Sequence, residues 1–242
     1  QVLTTIWDER GNYGGQLTKQ GYLDAGGVFG ALGRLADRAW EAAMATEVLE
    51  SATVRVACLN RILLQLAVRD SKGRHARRRV TFDTLTTAVG VPSGSLRRLV
   101  EPFVAARLLV LDREGETQTI EVAHEALLEA WAHWKNLLEV SGDLVLLRQQ
   151  VEVAAAAWEQ SGRRRELWSD ATSRLRQAEE ELEAGRLDLT DGERAFIVAS
   201  RRAVRRQAGL RLVLVLTAIL AVATALMISL SYLIYRKKDI LL

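Results

Sequence analysis

Only a few residue types in this sequence can do chemistry, and they are thinly spread. There are three histidines and one cysteine, too few to argue a nucleophile and its base from sequence alone. His124-Glu125 is the opening of a zinc-protease helix, but the position where the second histidine must share the helical face is Leu128. His133, nine residues on, falls about 900° round a helix and so on the opposite side. Catalytic and metal-ligating sets are therefore both expected to be absent. Gly26, Gly27, Gly30 and Gly33 lack the following Lys-Ser/Thr pair and the preceding apolar strand of a phosphate loop, so they read as a helix start. Cys58 lies on an apolar helical pattern and reads as a buried small residue in a reducing compartment.

The basic run holding Lys72, Arg74, Arg77, Arg78 and Arg79 can be a solvated loop, a nucleic-acid contact, or a contact with acidic lipid or a partner. Formal net charge is only +3, so such local clusters matter more than the total. Another feature is apolar. From Leu212 to Tyr235 no residue is charged, and a helix of that length covers about 36 Å, enough for a ~30 Å hydrocarbon core. Arg201, Arg202, Arg205, Arg206 and Arg211 flank it upstream, against Arg236, Lys237 and Lys238 downstream. That bias places the preceding residues on the cytoplasmic side. Thr217, Ala221, Ala225 and Ser229 recur every four residues within the span; they form either a face for self-association or the small-residue content ordinary in membrane helices.

The elements that position these residues are mostly helical. Two prolines, Pro92 and Pro102, and a wealth of alanine, leucine, glutamate and arginine indicate helices with short connections. Leu32, Leu35, Ala36, Ala39 and Trp40 give a first helix after a polar stretch from Asp8 to Gln20, and Glu47 to Val68 a second, with the stripe Val56, Leu59, Leu63 and Leu66. Residues 70–79 read as a basic connection, and Val80 to Leu85 as a brief pairing that starts a helix. Ser93 is expected to cap the next helix, which Pro102 should kink or end. Leu108 to Leu111, a turn at residues 113–116, and Thr117 to Val122 with Ile120 and Val122 inward make a β-hairpin. Helices are expected over Ala123 to Leu138 and Leu144 to Gln160, then a helix capped by Asp170 or Thr172 and closed at Gly185. A capping box, Thr190-Asp-Gly-Glu193, leads toward the apolar span. Helix, helix, then hairpin is the order of a winged-helix domain. The expected organisation is mainly α: residues 1–45 an upstream segment, 46–130 a winged helix with a small β-hairpin, 131–206 a helical array, 212–235 one transmembrane helix and 236–242 a basic tail.

Thr119-Ile-Glu-Val-Ala-His-Glu-Ala-Leu-Leu-Glu-Ala-Trp131 resembles the winged-helix segment of bacterial STAND NTPases, of the novel STAND NTPase 1 type. Tyr22 to Leu32, Val100 to Val110 with its Arg107-Leu-Leu, Leu147 to Trp158 and Leu189 to Ser200 also resemble stretches of that family. The resemblance implies that His124 contacts the phosphate of ADP held by an ATPase domain and so keeps the resting state; the residue-level alternative is a histidine that caps its helix at Glu125. It also implies ADP or ATP as ligand of the parent protein, with none held by this chain alone. No Walker A or B string is present and the chain does not begin with methionine, so the expectation is a regulatory, relay fragment at a bacterial plasma membrane. Its implied partners are an upstream ATPase domain, the bilayer and a second copy. The alternative is a membrane-tethered winged-helix DNA-binding regulator, with nucleic acid the less favoured partner.

Overall fold

Local signals set most element ends. The computed structural model describes residues 19–24, 26–70, 72–163, 168 and 172–239, with only the backbone from 229 on; the expected loop before Gln20 and the Asp170 cap fall outside the described residues. A short helix α1 (Lys19–Asp24) precedes α2 (Gly27–Met44), which starts after Gly26 at φ 70°. Ser51 accepts from the amide of Val54 at 3.2 Å and so starts α3 at Ala52 rather than at Glu47. α3 (Ala52–Gln65) also stops sooner than its apolar stripe suggested, because Ala67–Arg69 leaves as strand β1 and pairs antiparallel with β2 (His75–Arg77). The expected basic connection is thus a second hairpin. Its turn is knotted by Asp70, whose carboxylate accepts from the amides of Lys72 (2.8 Å) and Arg74 (2.9 Å); those bonds hold its pKa below the usual carboxylate range, the Arg74 amide first.

Strand β3 (Val80–Thr81) runs into α4 (Phe82–Val89), capped by the Thr81 hydroxyl and ended by Gly90 at φ 72°. In α5 (Ser93–Ala105), Ser93 is the first helical residue and Pro92 the cap, so the expected Ser93 cap is not made. Pro102 removes one donor without ending the helix, which runs three residues further. β4 (Leu109–Glu114) and β5 (Thr117–Val122) form the expected hairpin, its turn narrowed to Gly115 and Glu116 with Gly115 at φ 63°. β3 adds to it, giving the strand order β3-β5-β4, with Ile120 and Val122 fully buried.

A short α6 (Leu127–Ala130) is followed by α7 (Ala132–Gln160), one unbroken helix where two were expected. Ser141 and Gly142, in the gap expected between Leu138 and Leu144, are buried inside it; a Cβ at Gly142 would lie 3.8 Å from the His75 ring, so this glycine marks where the β1–β2 hairpin docks. α8 (Thr172–Glu183) closes with Gly185 at φ 67°. The capping box is made: Thr190 N donates to the Glu193 carboxylate (2.8 Å) and Glu193 N to the Thr190 hydroxyl (3.4 Å). It opens α9 (Asp191–Asp239), which from Leu210 to Ile228 buries nothing. Among the described residues this is the one helix long and apolar enough to cross a membrane. The hydroxyls of Thr217 and Thr224 donate to carbonyls of their own helix, at Leu214 and Ala221 (2.9 Å each), as an apolar medium requires. Thr217, Ala221 and Ala225 stand exposed along α9; the Ser229 side chain lies outside the described residues.

Two hydrophobic clusters form. The first joins α2 through the start of α7 around Leu59, Ile62, Leu99, Phe103, Trp131 and Trp134; the second joins the end of α7 to α8 and α9 around Val151, Trp158, Leu189 and Phe196. α2 shares the first core with the hairpin, although sequence reading set residues 1–45 apart, and α7 serves both cores, changing over between Val145 and Leu147.

At that changeover sits Arg148, 5% exposed. Its guanidinium donates to Leu64 O (3.0 Å), Gln65 Oε1 (2.7 Å) and Ala67 O (2.6 Å), taking up acceptors where α3 ends and β1 begins. Gln65 Nε2 in turn donates to Asp188 O (3.0 Å), and Asp188 accepts from Arg61 at 2.7 Å. Burial, helped by the positive charge of Arg78, lowers the Arg148 pKa to about 10, still charged at neutral pH. Arg148→Met removes the donor from Leu64 O and Ala67 O, leaving Gln65 Oε1 only its bond from Arg78 (3.1 Å), and is expected to cost about 3 kcal/mol, read as a lower Tm of the detergent-purified protein. An unchanged Tm would show the cluster to be dispensable.

Candidate functional site

The end of α5 builds the site's first rim. Leu108 N donates to Phe103 O (2.8 Å) and Arg107 N to Val104 O (2.9 Å), the closing pattern of a helix whose next residue is left-handed; here that residue is Arg107, at φ 55°. The chain then enters β4. Ala123 N donates to Leu108 O (2.9 Å), extending the β4–β5 pairing by one step beyond Leu109 and Val122. His124 follows directly. Its carbonyl accepts from Leu127 N (2.9 Å) and that of Glu125 from Leu128 N (3.0 Å), so the backbone alone makes the turn into α6. The imidazole is exposed and makes no hydrogen bond among the described residues.

Between these rims lies an open cavity of about 810 Å³, walled by Val28 and Leu32 of α2, Val104 of α5 and Leu109 to Leu111 of β4. Among the described residues no carboxylate lines it, and the polar side chains that do are Arg107 and His124. Val28, Phe29 and Val110 on or beside it are 42%, 54% and 40% exposed, an apolar surface of the kind that another protein surface covers. β4 is also the free edge of its sheet. The arrangement offers donors to an anion beside a face for docking, and no nucleophile paired with a base.

The other candidates are placed apart. His133 lies on α7, hydrogen-bonded to Asn60 Oδ1 (2.9 Å) with its ring 4.3 Å from Trp40; burial lowers its pKa. His75 faces Gly142. No cluster of three His, Cys, Asp or Glu able to hold a metal occurs among the described residues. Cys58 is buried, and burial pushes its thiol up to about 11, where it is unreactive.

The basic run is largely used as bracing. Arg74 pairs with Asp70 (3.0 Å), Arg78 with Glu152 (2.6 Å) and Arg79 with Glu121 (2.8 Å), while Arg77 reaches Val122 O (3.4 Å). Arg79 donates a hydrogen bond that keeps the Glu121 carboxyl below its ordinary pKa. Lys72 alone of the five has an exposed side chain with no partner among the described residues. On α5, Arg97 is taken up by Gln118 and lies 5.2 Å over the Phe82 ring. Resemblance singled out His124, and sequence reading missed both the cavity, whose walls come from three separate stretches, and Arg107's backbone; the signal for the latter was a helix closing on Arg-Leu-Leu without glycine.

Comparison with known proteins gives one match: a family model described as Novel STAND NTPase 1 covers residues 1–166 of the 242. No curated protein and no solved structure matches.

Gly33 sets how closely α2, which walls the groove, lies against α6. A Cβ there would come within 2.8 Å of the Ala130 carbonyl oxygen, so α2 can lie against α6 only with glycine at the contact. Glycine to alanine inside a helix ordinarily stabilises by about 1 kcal/mol. Here Gly33→Ala is expected to lower Tm, because α2 must retreat; a higher Tm would refute the contact.

Proposed function

Since the chain belongs to the Novel STAND NTPase 1 family, we propose that it is the regulatory and relay part of a membrane-anchored signal-transduction ATPase. On this reading α3 to α5 with the β3-β5-β4 sheet form a winged helix, supported by the helix–helix–hairpin order and by β3 closing on the hairpin. The groove is covered by an ATPase domain of the same protein, and His124 donates to a phosphate oxygen of the ADP bound there. The contact favours the ADP-bound resting conformation, because a ligand shifts an equilibrium only by what it binds better in one state. When the nucleotide changes, the contact is lost and the winged helix moves. α7 carries the movement into the second core and so to α9, which anchors the assembly in a bacterial plasma membrane with residues before Leu212 in the cytoplasm. Thr217, Ala221, Ala225 and Ser229 give the anchor a face for a second copy.

The observation that carries this proposal is His124: an exposed, unpartnered imidazole at the rim of an apolar cavity without a carboxylate. Less supports the DNA-binding alternative, because Arg74, Arg78 and Arg79 are paired with Asp70, Glu152 and Glu121.

The test is the nucleotide content of the natural full-length protein purified in detergent. Wild type is expected to retain ADP, and His124→Ala to bind it about tenfold more weakly through loss of a charge-assisted hydrogen bond. No nucleotide in either preparation would reject the proposal and bring DNA binding through Lys72 to Arg79 forward.

A further inference from the structure

Left-handed backbone is a glycine's place, and the chain mostly obeys: Gly26, Gly73, Gly90, Gly115, Gly162 and Gly185 all have positive φ. Two arginines do not. Arg163 has a local use for its side chain, which pairs with Glu159 (3.2 Å) and lies 5.3 Å over Trp158. Arg107 has none: its side chain is exposed and makes no ion pair or hydrogen bond among the described residues. A glycine at this helix end would close the same backbone bonds with no steric penalty. What an arginine adds there is its guanidinium, on a residue that lines the cavity.

The position is specific. β4 and β5 pair Leu109 with Val122, and the Ala123–Leu108 bond continues the pairing by one step; Arg107 and His124 lie directly beyond that step, one on each side, and both line the cavity. Two hydrogen-bond donors, one always cationic, therefore flank one rim with no carboxylate in the cavity lining. Some arginines elsewhere are matched to carboxylates, Arg61 to Asp188, Arg78 to Glu152, Arg79 to Glu121 and Arg186 to Glu181, while others such as Arg98 and Arg113 stand exposed; Arg107 differs from these in lining a cavity beside His124. An anion is the ligand that such a pair recognises, and a terminal phosphate has oxygens enough for both; the planar fork of arginine can take two of them at once.

We propose that Arg107 is a second phosphate contact, acting with His124 on the terminal phosphate of a nucleoside diphosphate. This rests on the functional reading above. In the natural full-length protein stripped of nucleotide, ADP affinity is measured by calorimetry for wild type, Arg107→Gly, Arg107→Lys and His124→Ala, with Tm of each taken without nucleotide. Arg107→Gly is expected to weaken ADP binding about tenfold, while its Tm is unchanged or higher because glycine relieves the left-handed backbone. Arg107→Lys, which keeps the charge but not the fork, should fall between.

Wild-type affinity in Arg107→Gly, with His124→Ala weakened, would overturn the role of Arg107 alone. Weaker binding together with a lower Tm would also overturn it, since the side chain would then be structural. Full affinity in both variants would overturn the functional reading itself.

Discussion

A buried guanidinium needs acceptors for its N–H groups, and Arg148 places both terminal nitrogens on one short stretch, Leu64 to Ala67, while its Nε has no partner among the described residues. That requirement fixes the rotation of α7 against the end of α3. It also fixes where α3 stops, because the carbonyls that accept from Arg148 are those that a continuing helix would have used, and Arg78 N takes Leu66 O (2.8 Å) as the chain returns from the β1–β2 hairpin. Gln65 then ties the cluster to Asp188, just before α9. Its worth lies in acceptors that would otherwise lose their donor, and all three are met from this one position on α7.

The two cores are in consequence not independent. α7 is a rod of about 43 Å shared by both, and the link from Arg148 through Gln65 to Asp188 joins the first core to the segment that starts α9. In the proposed mechanism this matters more than either core alone. A change of partner at the His124 rim acts on β4, β5 and α6, which share the first core with Trp131, Trp134 and the opening turns of α7. Bistable packing of that kind, rather than gradual bending, is how small shifts at a site reach distant elements.

Particular residues show how far the sequence carried. The β4–β5 hairpin was legible because Ile120 and Val122 alternate toward the core, and the Thr190–Glu193 capping box because both its donors and acceptors are local. The apolar stretch of α9 was legible because composition alone defines it. By contrast, β1 was hidden inside a helical stripe that ran through Val68; it is a strand through its antiparallel pairing with β2, which lies against Gly142 of α7. Arg148 sits between Leu147 and Val151 on a helix whose periodicity cannot distinguish a buried charge from a solvated one. For the site, resemblance singled out His124, while the cavity needed residues 28, 104 to 111 and 123 to 126 brought together.

In the proposed cycle the groove is covered in one nucleotide state and open in another. Hydrogen–deuterium exchange of the natural full-length protein reads this directly, in peptides spanning residues 104–111 and 122–126, with ADP and with a non-hydrolysable ATP analogue. Exchange there is expected to be slower with ADP and faster with the analogue, while peptides around Arg148 stay protected in both. Equal exchange across the groove in the two states would refute the proposed cycle.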